Sequence, residues 1–167
     1  MSSNILFIGR FQPFHRGHLW VIQQIMEQQS KMLIGIGSAQ YKGTQDNPFS
    51  VKDRTRMIEA ALEEAGIAKN TYRIVPIPDI HDDAAWPAHV RKLVAQEFDA
   101  VWTGRPLVKK LFQQYDRVKI VNLIRWKGIS ATQVRRKMQA NDETWRELVP
   151  QAVAGIIGSL QSPKSAP

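Results

Sequence analysis

The stretch NILFIGRFQPFHRGH, residues 4–18, decides the fold. Its first half, Asn4 to Gly9, is a short apolar run that stops at a glycine, the pattern of a strand covered on both faces in a parallel sheet. Its second half ends in two histidines around Gly17, where the chain takes up helical spacing with Leu19, Val21, Ile22, Ile25 and Met26. Strand, loop and helix in that order open a βαβ unit, and Lys31 to Gly37 (KMLIGIG) supplies its second strand.

The alternation continues outward. Ile58, Ala61, Leu62 and Ala65 share one face of a second helix, with Ser50 as its N-cap and Gly66 as its stop. Tyr72 to Ile77 reads as a third strand, a helix runs from Trp86 or Pro87 to Glu97, and Asp99 to Thr103 reads as a fourth strand. A short helix over Leu107 to Gln114, a fifth strand over Arg117 to Leu123 and a helix over Thr132 to Ala140 follow; WRELVPQAVAGIIGSL closes the chain as a helical stretch broken near Pro150. The expectation is an α/β fold: a Rossmann-like, doubly wound parallel sheet of about five strands with a helical C-terminal segment. One domain over residues 1–160 and a disordered tail over 161–167 are expected. In such a sheet ligands bind beyond the carboxyl ends of the strands, so functional residues should lie just after strands.

Composition narrows the function classes. The 167 residues are 43% hydrophobic and 23% charged, without an apolar run long enough to span a bilayer, so no membrane partner is expected. The N-terminus lacks the pattern of a secretory leader, and a cytoplasmic protein is expected. The absence of cysteine excludes disulfides, thiolate metal sites and a cysteine nucleophile. The net charge of +8 asks for an anionic partner, and it is local: Arg105 to Lys137 contains ten Lys and Arg and one acid, Asp116. A general nucleic-acid patch and a specific phosphate site both fit that charge, so the motifs must decide.

His15 and His18 flank Gly17 at a helix N-terminus, where free N–H groups and the positive end of the helix dipole favour an anion and a glycine admits it closely. The imidazoles can donate hydrogen bonds to phosphoryl oxygens without ionising, and Arg10 adds a fixed charge. A metal pair fits poorly, because no acid stands near them in sequence and His81 and His89 lie in another segment. A second constellation, Ile129-Ser130-Ala131-Thr132-Gln133-Val134-Arg135, pairs Ser130 with Gln133 as a capping box and places Arg135 one turn inside. Such a helix start is also a second phosphate cradle, built from the Ser130 and Thr132 hydroxyls and suited to β- and γ-phosphates.

GRFQPFHRGH carries the HxGH signature of the nucleotidyltransferase superfamily. With GIGSAQ, NPFS followed by a helix containing Arg54 and Met57, TGRPLV, ISATQVRRKM and WRELVPQAV, it resembles the archaeal-type nicotinamide mononucleotide (NMN) adenylyltransferases over residues 4 to 157. The resemblance implies that ATP and NMN are joined into NAD and pyrophosphate, with Mg²⁺ held mainly through the ATP phosphates and with no protein metal ligands. It implies a homo-oligomer, commonly a hexamer, and no nucleic-acid partner. Arg10, His15, His18 and Arg135 would engage the ATP phosphates as the catalytic set, Ser130 and Thr132 the β/γ end, and Gly9, Phe11 and Gly104 the nucleoside surroundings, with Ile129 also in the ATP-binding set. Trp86 would stack on nicotinamide, against the alternative of ordinary packing, and Asp79 would contact NMN. Arg105 and Ala131 depart from the family pattern, which usually has Asn and Gly or Ser there. The reaction expected is direct in-line attack of the NMN phosphate on the ATP α-phosphorus, without a covalent intermediate or a general base. The alternatives are another phosphorylated acceptor, nicotinate mononucleotide or pantetheine phosphate, or a basic nucleic-acid-binding module.

Overall fold

The computed structural model describes residues 4–29, 31–115, 118–123 and 125–161. Five strands, β1 (Ile5–Gly9), β2 (Met32–Gly37), β3 (Tyr72–Ile77), β4 (Ala100–Thr103) and β5 (Lys119–Asn122), form one sheet in the order β3-β2-β1-β4-β5. Every pairing is parallel. The doubly wound sheet read from the sequence is therefore present, and its strand order reverses between β1 and β4.

Strand period 2 divides the core into two layers. Ile5, Phe7, Met32, Ile34, Ile36, Ala100 and Trp102 face one side. They pack against α1 (Arg16–Gln28), α2 (Val51–Glu64) and α6 (Gln151–Gln161) through Ile22, Ile25, Ile58, Leu62, Val153 and Ile157. Leu6, Ile8, Leu33, Val75, Ile77 and Val101 face the other side, where α3 (Trp86–Val94) and α4 (Pro106–Tyr115) bring Val90, Val94, Leu111 and Phe112. β1 and β2 are buried along their whole length, which is why both read as unbroken apolar runs.

The helix ends follow side-chain chemistry. The Ser50 hydroxyl accepts from the Asp53 N–H at 3.1 Å, and Gly66, at φ +72°, ends the α2 segment. Most element ends fall within a residue or two of the sequence reading, and two differ in a way that has a structural reason. Helix α3 stops at Val94 rather than Glu97, because Ala95 turns left-handed at φ +49° and its N–H closes on Arg91; the turn lets Phe98 drop into the core. The closing stretch is a 3₁₀ segment, Glu143–Leu148, followed by α6, with Pro150 just before the helix start and Gln161 inside the helix. Arg117, expected to open β5, and residues 162–167 of the expected tail lie outside the described residues.

Candidate active site

His15 is the N-cap of α1, and its imidazole does what Ser or Asp usually does there. The His18 N–H donates to His15 Nδ1 at 3.3 Å, and the His15 N–H donates to His18 Nδ1 at 3.2 Å. This reciprocal capping box is built from two imidazoles. Both Nδ1 atoms are acceptors, so each neutral ring carries its proton on Nε2 and has that N–H left to donate. The rings stack at 3.6 Å between centroids, 18° from parallel, and Phe11 packs edge-on against His18 at 4.8 Å. Burial pushes His15 down to about 3; burial, with the neighbouring His15 second, pushes His18 well below the usual imidazole range. Both are neutral donors at physiological pH.

Two glycines make this packing possible. A Cβ on Gly17 would lie 3.0 Å from the His15 ring, and one on Gly9 would lie 2.9 Å from the Phe11 ring. Neither position has room for a side chain without moving the ring beside it.

The second helix start, α5 (Ala131–Gln139), faces the first. The Gln133 N–H donates to Ser130 Oγ at 3.2 Å, so Ser130 is the N-cap. Arg135, almost fully buried, donates through Nη1 to the Gln12 carbonyl at 2.9 Å and through Nη2 to Thr132 Oγ1 at 3.4 Å and Asp46 Oδ1 at 3.5 Å. The Gln12 side chain holds Phe49 from both sides, donating to its carbonyl at 2.8 Å and accepting from its N–H at 3.0 Å. The loop entering α1, the segment before α2 and helix α5 are thereby tied into one frame.

Arg54 completes that frame from beneath. Its guanidinium is fully buried and donates to carbonyls only: Arg10 and Gly37 at 2.9 Å, Ser38 and Ala39 at 3.2 Å, Ser50 at 3.4 Å and Tyr41 at 3.5 Å. All but Ser50, the N-cap of α2, lie where β1 and β2 end. Burial and the nearby Arg10 charge lower Arg54 to about 10.

The resulting cleft, of about 390 Å³, opens between the ends of β1 and β4, at the switch in strand order. Among the described residues its walls carry Arg10, Arg105, Arg125 and Arg135 and no Asp or Glu. Among the described residues, the guanidiniums of Arg10, Arg105 and Arg125 make no hydrogen bond or salt bridge. Arg105 and Arg135 are lowered first by burial and then by Arg10, with Asp79 and Asp46 respectively offsetting part of the effect. Cations held this close repel one another, and an anion of several charges relieves the repulsion.

The sequence matches the cytidylyltransferase-like family over residues 6–137. It is 44% identical over 157 residues to the nicotinamide-nucleotide adenylyltransferase of Ignicoccus hospitalis, covering 93% of this chain and 91% of that one. It is 41% identical over 157 residues to the enzyme of the same name from Thermococcus sibiricus, covering 93% and 83%. The chain belongs to the cytidylyltransferase-like family, among its nicotinamide-nucleotide adenylyltransferases. Its fold is similar to that of a bifunctional NMN adenylyltransferase/ADP-ribose pyrophosphatase from Francisella tularensis, with TM-score 0.78, 27% identity, and coverage of 97% of this chain and 51% of that chain. The same bifunctional enzyme has been solved with AMP and a manganese ion, where the TM-score is 0.67, identity 26% and coverage 95% and 52%. This chain thus spans about half the length of that enzyme.

Within this member of the family, the cleft gathers all ten residues expected around ATP: Gly9, Arg10, Phe11, His15, His18, Gly104, Ile129, Ser130, Thr132 and Arg135. The Phe11 ring is buried under His18, so it shapes the floor rather than presenting an aromatic face. Trp86 and Asp79 are not in the cleft wall. Trp86 is only 8% exposed and packs edge-on to Phe112 at 5.9 Å, so most of its surface is in the core. Asp79, at the end of β3, accepts from Ser38 Oγ at 2.8 Å, and its backbone is clamped by the Gln40 amide at 3.0 Å on both sides.

Sequence reasoning assigned no role to Gln12, Arg54, Leu123, Arg125 or Trp126. Arg54 carried a readable signal, since it lies four residues before Ile58 on the buried stripe of α2, where a charge must have partners. Leu123 and Arg125 lie outside helix and strand, Trp126 opens a 3₁₀ turn (Trp126–Gly128), and none of the three carried such a signal.

Proposed function

We propose that the chain transfers the adenylyl group of ATP to NMN, giving NAD and releasing pyrophosphate. The observation that carries this reading is a cleft at the switch point with two helix N-termini, two neutral imidazole donors, four arginines and no carboxylate. That donor set suits a polyphosphate and its leaving group. ATP lies with its phosphates on Arg10, His15, His18 and Arg135, its β/γ end on Ser130 and Thr132, and its nucleoside against Gly9, Phe11, Gly104 and Ile129. NMN enters beside Asp79 and Trp86.

The NMN phosphate is already an anionic nucleophile, so no base removes a proton. It attacks the α-phosphorus in line; the new phosphorus–oxygen bond forms as the bond to the β-phosphate oxygen breaks, and pyrophosphate leaves. The Nε2–H of His18 donates to oxygens on which charge accumulates, while Arg135 and the N-terminus of α5 neutralise the leaving group. His15 donates from the stacked ring and holds His18 in the required tautomer. A divalent cation, Mg²⁺ in this proposal, supplies further charge neutralisation when bound. Among the described residues the cleft walls offer it no carboxylate, and no three of His, Asp and Glu gather elsewhere to form a cage, so it would be held by phosphate oxygens and water.

The enzyme is proposed to work in the cytoplasm as a homo-oligomer, by resemblance a hexamer, which sedimentation will test. Among the described residues no helix is long and apolar enough to cross a membrane. The decisive experiment incubates the purified protein with MgATP and, in turn, NMN, nicotinate mononucleotide and pantetheine phosphate, following pyrophosphate and the joined product. NAD formation from NMN is expected. Turnover with pantetheine phosphate and none with NMN refutes the proposal.

A further inference from the structure

Arg105 and Arg125 are the cleft cations to which the phosphates of ATP give no role, and Arg105 is the nearer of the two to β3 in the sheet order. Arg10 follows β1 beside the histidines, and Arg135 reaches the cleft from α5 through a carbonyl of the same loop. Arg125 lies beyond β5, on the far side of the sheet order from β3. Arg105 follows β4 at the start of α4, where its N–H donates to Thr103 Oγ1 at 3.2 Å and its carbonyl accepts from Lys109 at 3.1 Å. Its backbone is fixed at both ends, while its guanidinium has no hydrogen-bonding partner among the described residues.

Across the sheet, Asp79 follows β3 and leans inward, since its carboxylate is held by Ser38 at the end of β2. β3 and β4 are separated by β2 and β1, roughly 14 Å at ordinary strand spacing. A guanidinium reaching in from one side and a carboxylate leaning in from the other leave a gap over the ends of β1 and β2. They do not form a salt bridge across it, although they are near enough for Asp79 to offset part of what burial and Arg10 do to Arg105.

A gap with a free cation at one pole and a carboxylate at the other is complementary to a zwitterion. NMN is one, with a phosphate at one end and a pyridinium at the other. We infer that Arg105 binds the phosphate of the acceptor mononucleotide, with Asp79 facing its cationic ring, and so delivers the attacking oxygen to the cleft. This rests on the proposed NMN adenylyltransferase activity and adds to it a residue for the nucleophile. It also divides the cations of the cleft, Arg10 and Arg135 serving ATP and Arg105 serving the acceptor.

The test titrates wild type, R105Q, R105K and D79N with NMN, with nicotinamide riboside and with a non-hydrolysable MgATP analogue, reading dissociation constants by calorimetry. Losing a charge-assisted fork to phosphate should weaken NMN on the order of 10- to 100-fold in R105Q, with an intermediate loss in R105K, which keeps the charge without the fork. The riboside, lacking the phosphate, and the ATP analogue should bind R105Q as they bind wild type. D79N should weaken NMN and the riboside alike. The inference is overturned if R105Q binds NMN normally, or loses the riboside or the ATP analogue as much as NMN. Wild type that binds NMN beside an unaffected R105Q removes Arg105 alone; wild type that binds no NMN removes the activity and this inference together.

Discussion

Acid should loosen this fold through its two site histidines, and by a calculable amount. His15 sits near 3 in the folded protein against about 6.5 in an unfolded chain. Above pH 6.5 neither state carries the proton, and the neutral pair contributes its full packing and capping. As pH falls below 6.5 the unfolded chain takes up a proton that the native ring refuses, so stability is lost down to the folded value near 3 and no further. The loss is about 1.4 kcal/mol per pH unit for one histidine, or roughly 2 kcal/mol between pH 6 and 4.5, against a typical domain stability of roughly 5–15 kcal/mol. His18, lowered by the same burial and by His15, acts in the same direction. Urea unfolding at pH 7.5, 6, 5 and 4.5 reads the slope. Asn is among the best N-caps, so His15→Asn keeps the helix start while removing one titrating group. Its stability should fall less steeply than that of wild type across this window. Parallel slopes for the two proteins would falsify the assignment of a buried, neutral imidazole to the cap.

His18→Ala should lower kcat roughly 10²- to 10³-fold with the fold intact by circular dichroism, the usual scale for removing one preorganised donor; near-normal kcat in a folded variant contradicts its role. Arg54→Met strips donors from the carbonyls after β1 and β2, of which the Gly37 and Ser38 contacts are fully buried, and should cost roughly 3–5 kcal/mol in chemical denaturation. Arg54→Lys should recover only part of that, because an ammonium cannot span the same fork. Gly17→Ala should raise helix propensity by up to ~1 kcal/mol yet cut kcat at least tenfold, since the new methyl displaces the His15 ring; activity tracking stability in this variant counts against the packing argument.

The parts of the fold that could be read from sequence are those where one face, or both, is wholly buried. β1 and β2 are unbroken apolar runs because both layers of helices cover them, and the stripe Ile58, Ala61, Leu62 on α2 has a partner layer to match. The end of α3 could not be read. Nothing local marks Ala95 for a left-handed turn; the burial of Phe98 requires it, and that is a tertiary demand. The residues proposed to hold phosphate could be picked out together because each cradle is contiguous, a loop running into a helix, and the fold brings both cradles to one cleft. Arg54 bridges backbone from residues 10, 37–39, 41 and 50, and Arg135 reaches a carbonyl of residue 12, so their partners appear only once the chain is folded. The imidazole tautomers were equally hidden, since they follow from a reciprocal bond and not from spacing.

The arginines suggest why so much of the frame is invested in carbonyl contacts. Arg10, Arg54, Arg105 and Arg135 lie close enough that Arg10 lowers each of the other three, and among the described residues only Arg135 of these four has a carboxylate within bonding reach. Carboxylate partners would quiet that repulsion and would also occupy the forks that the substrates need. Carbonyls solve the problem differently: those at the ends of β1 and β2 solvate the Arg54 charge through hydrogen bonds without removing charge from the cleft, and Arg54 in turn fixes the loop that carries Arg10. Repulsion is thus retained in the empty enzyme and relieved when phosphate groups enter. In the proposed reaction the substrates would meet Arg10 and Arg105, whose guanidiniums have no hydrogen-bonding partner among the described residues, and the departing pyrophosphate would meet Arg135, already held in place by the Gln12 carbonyl.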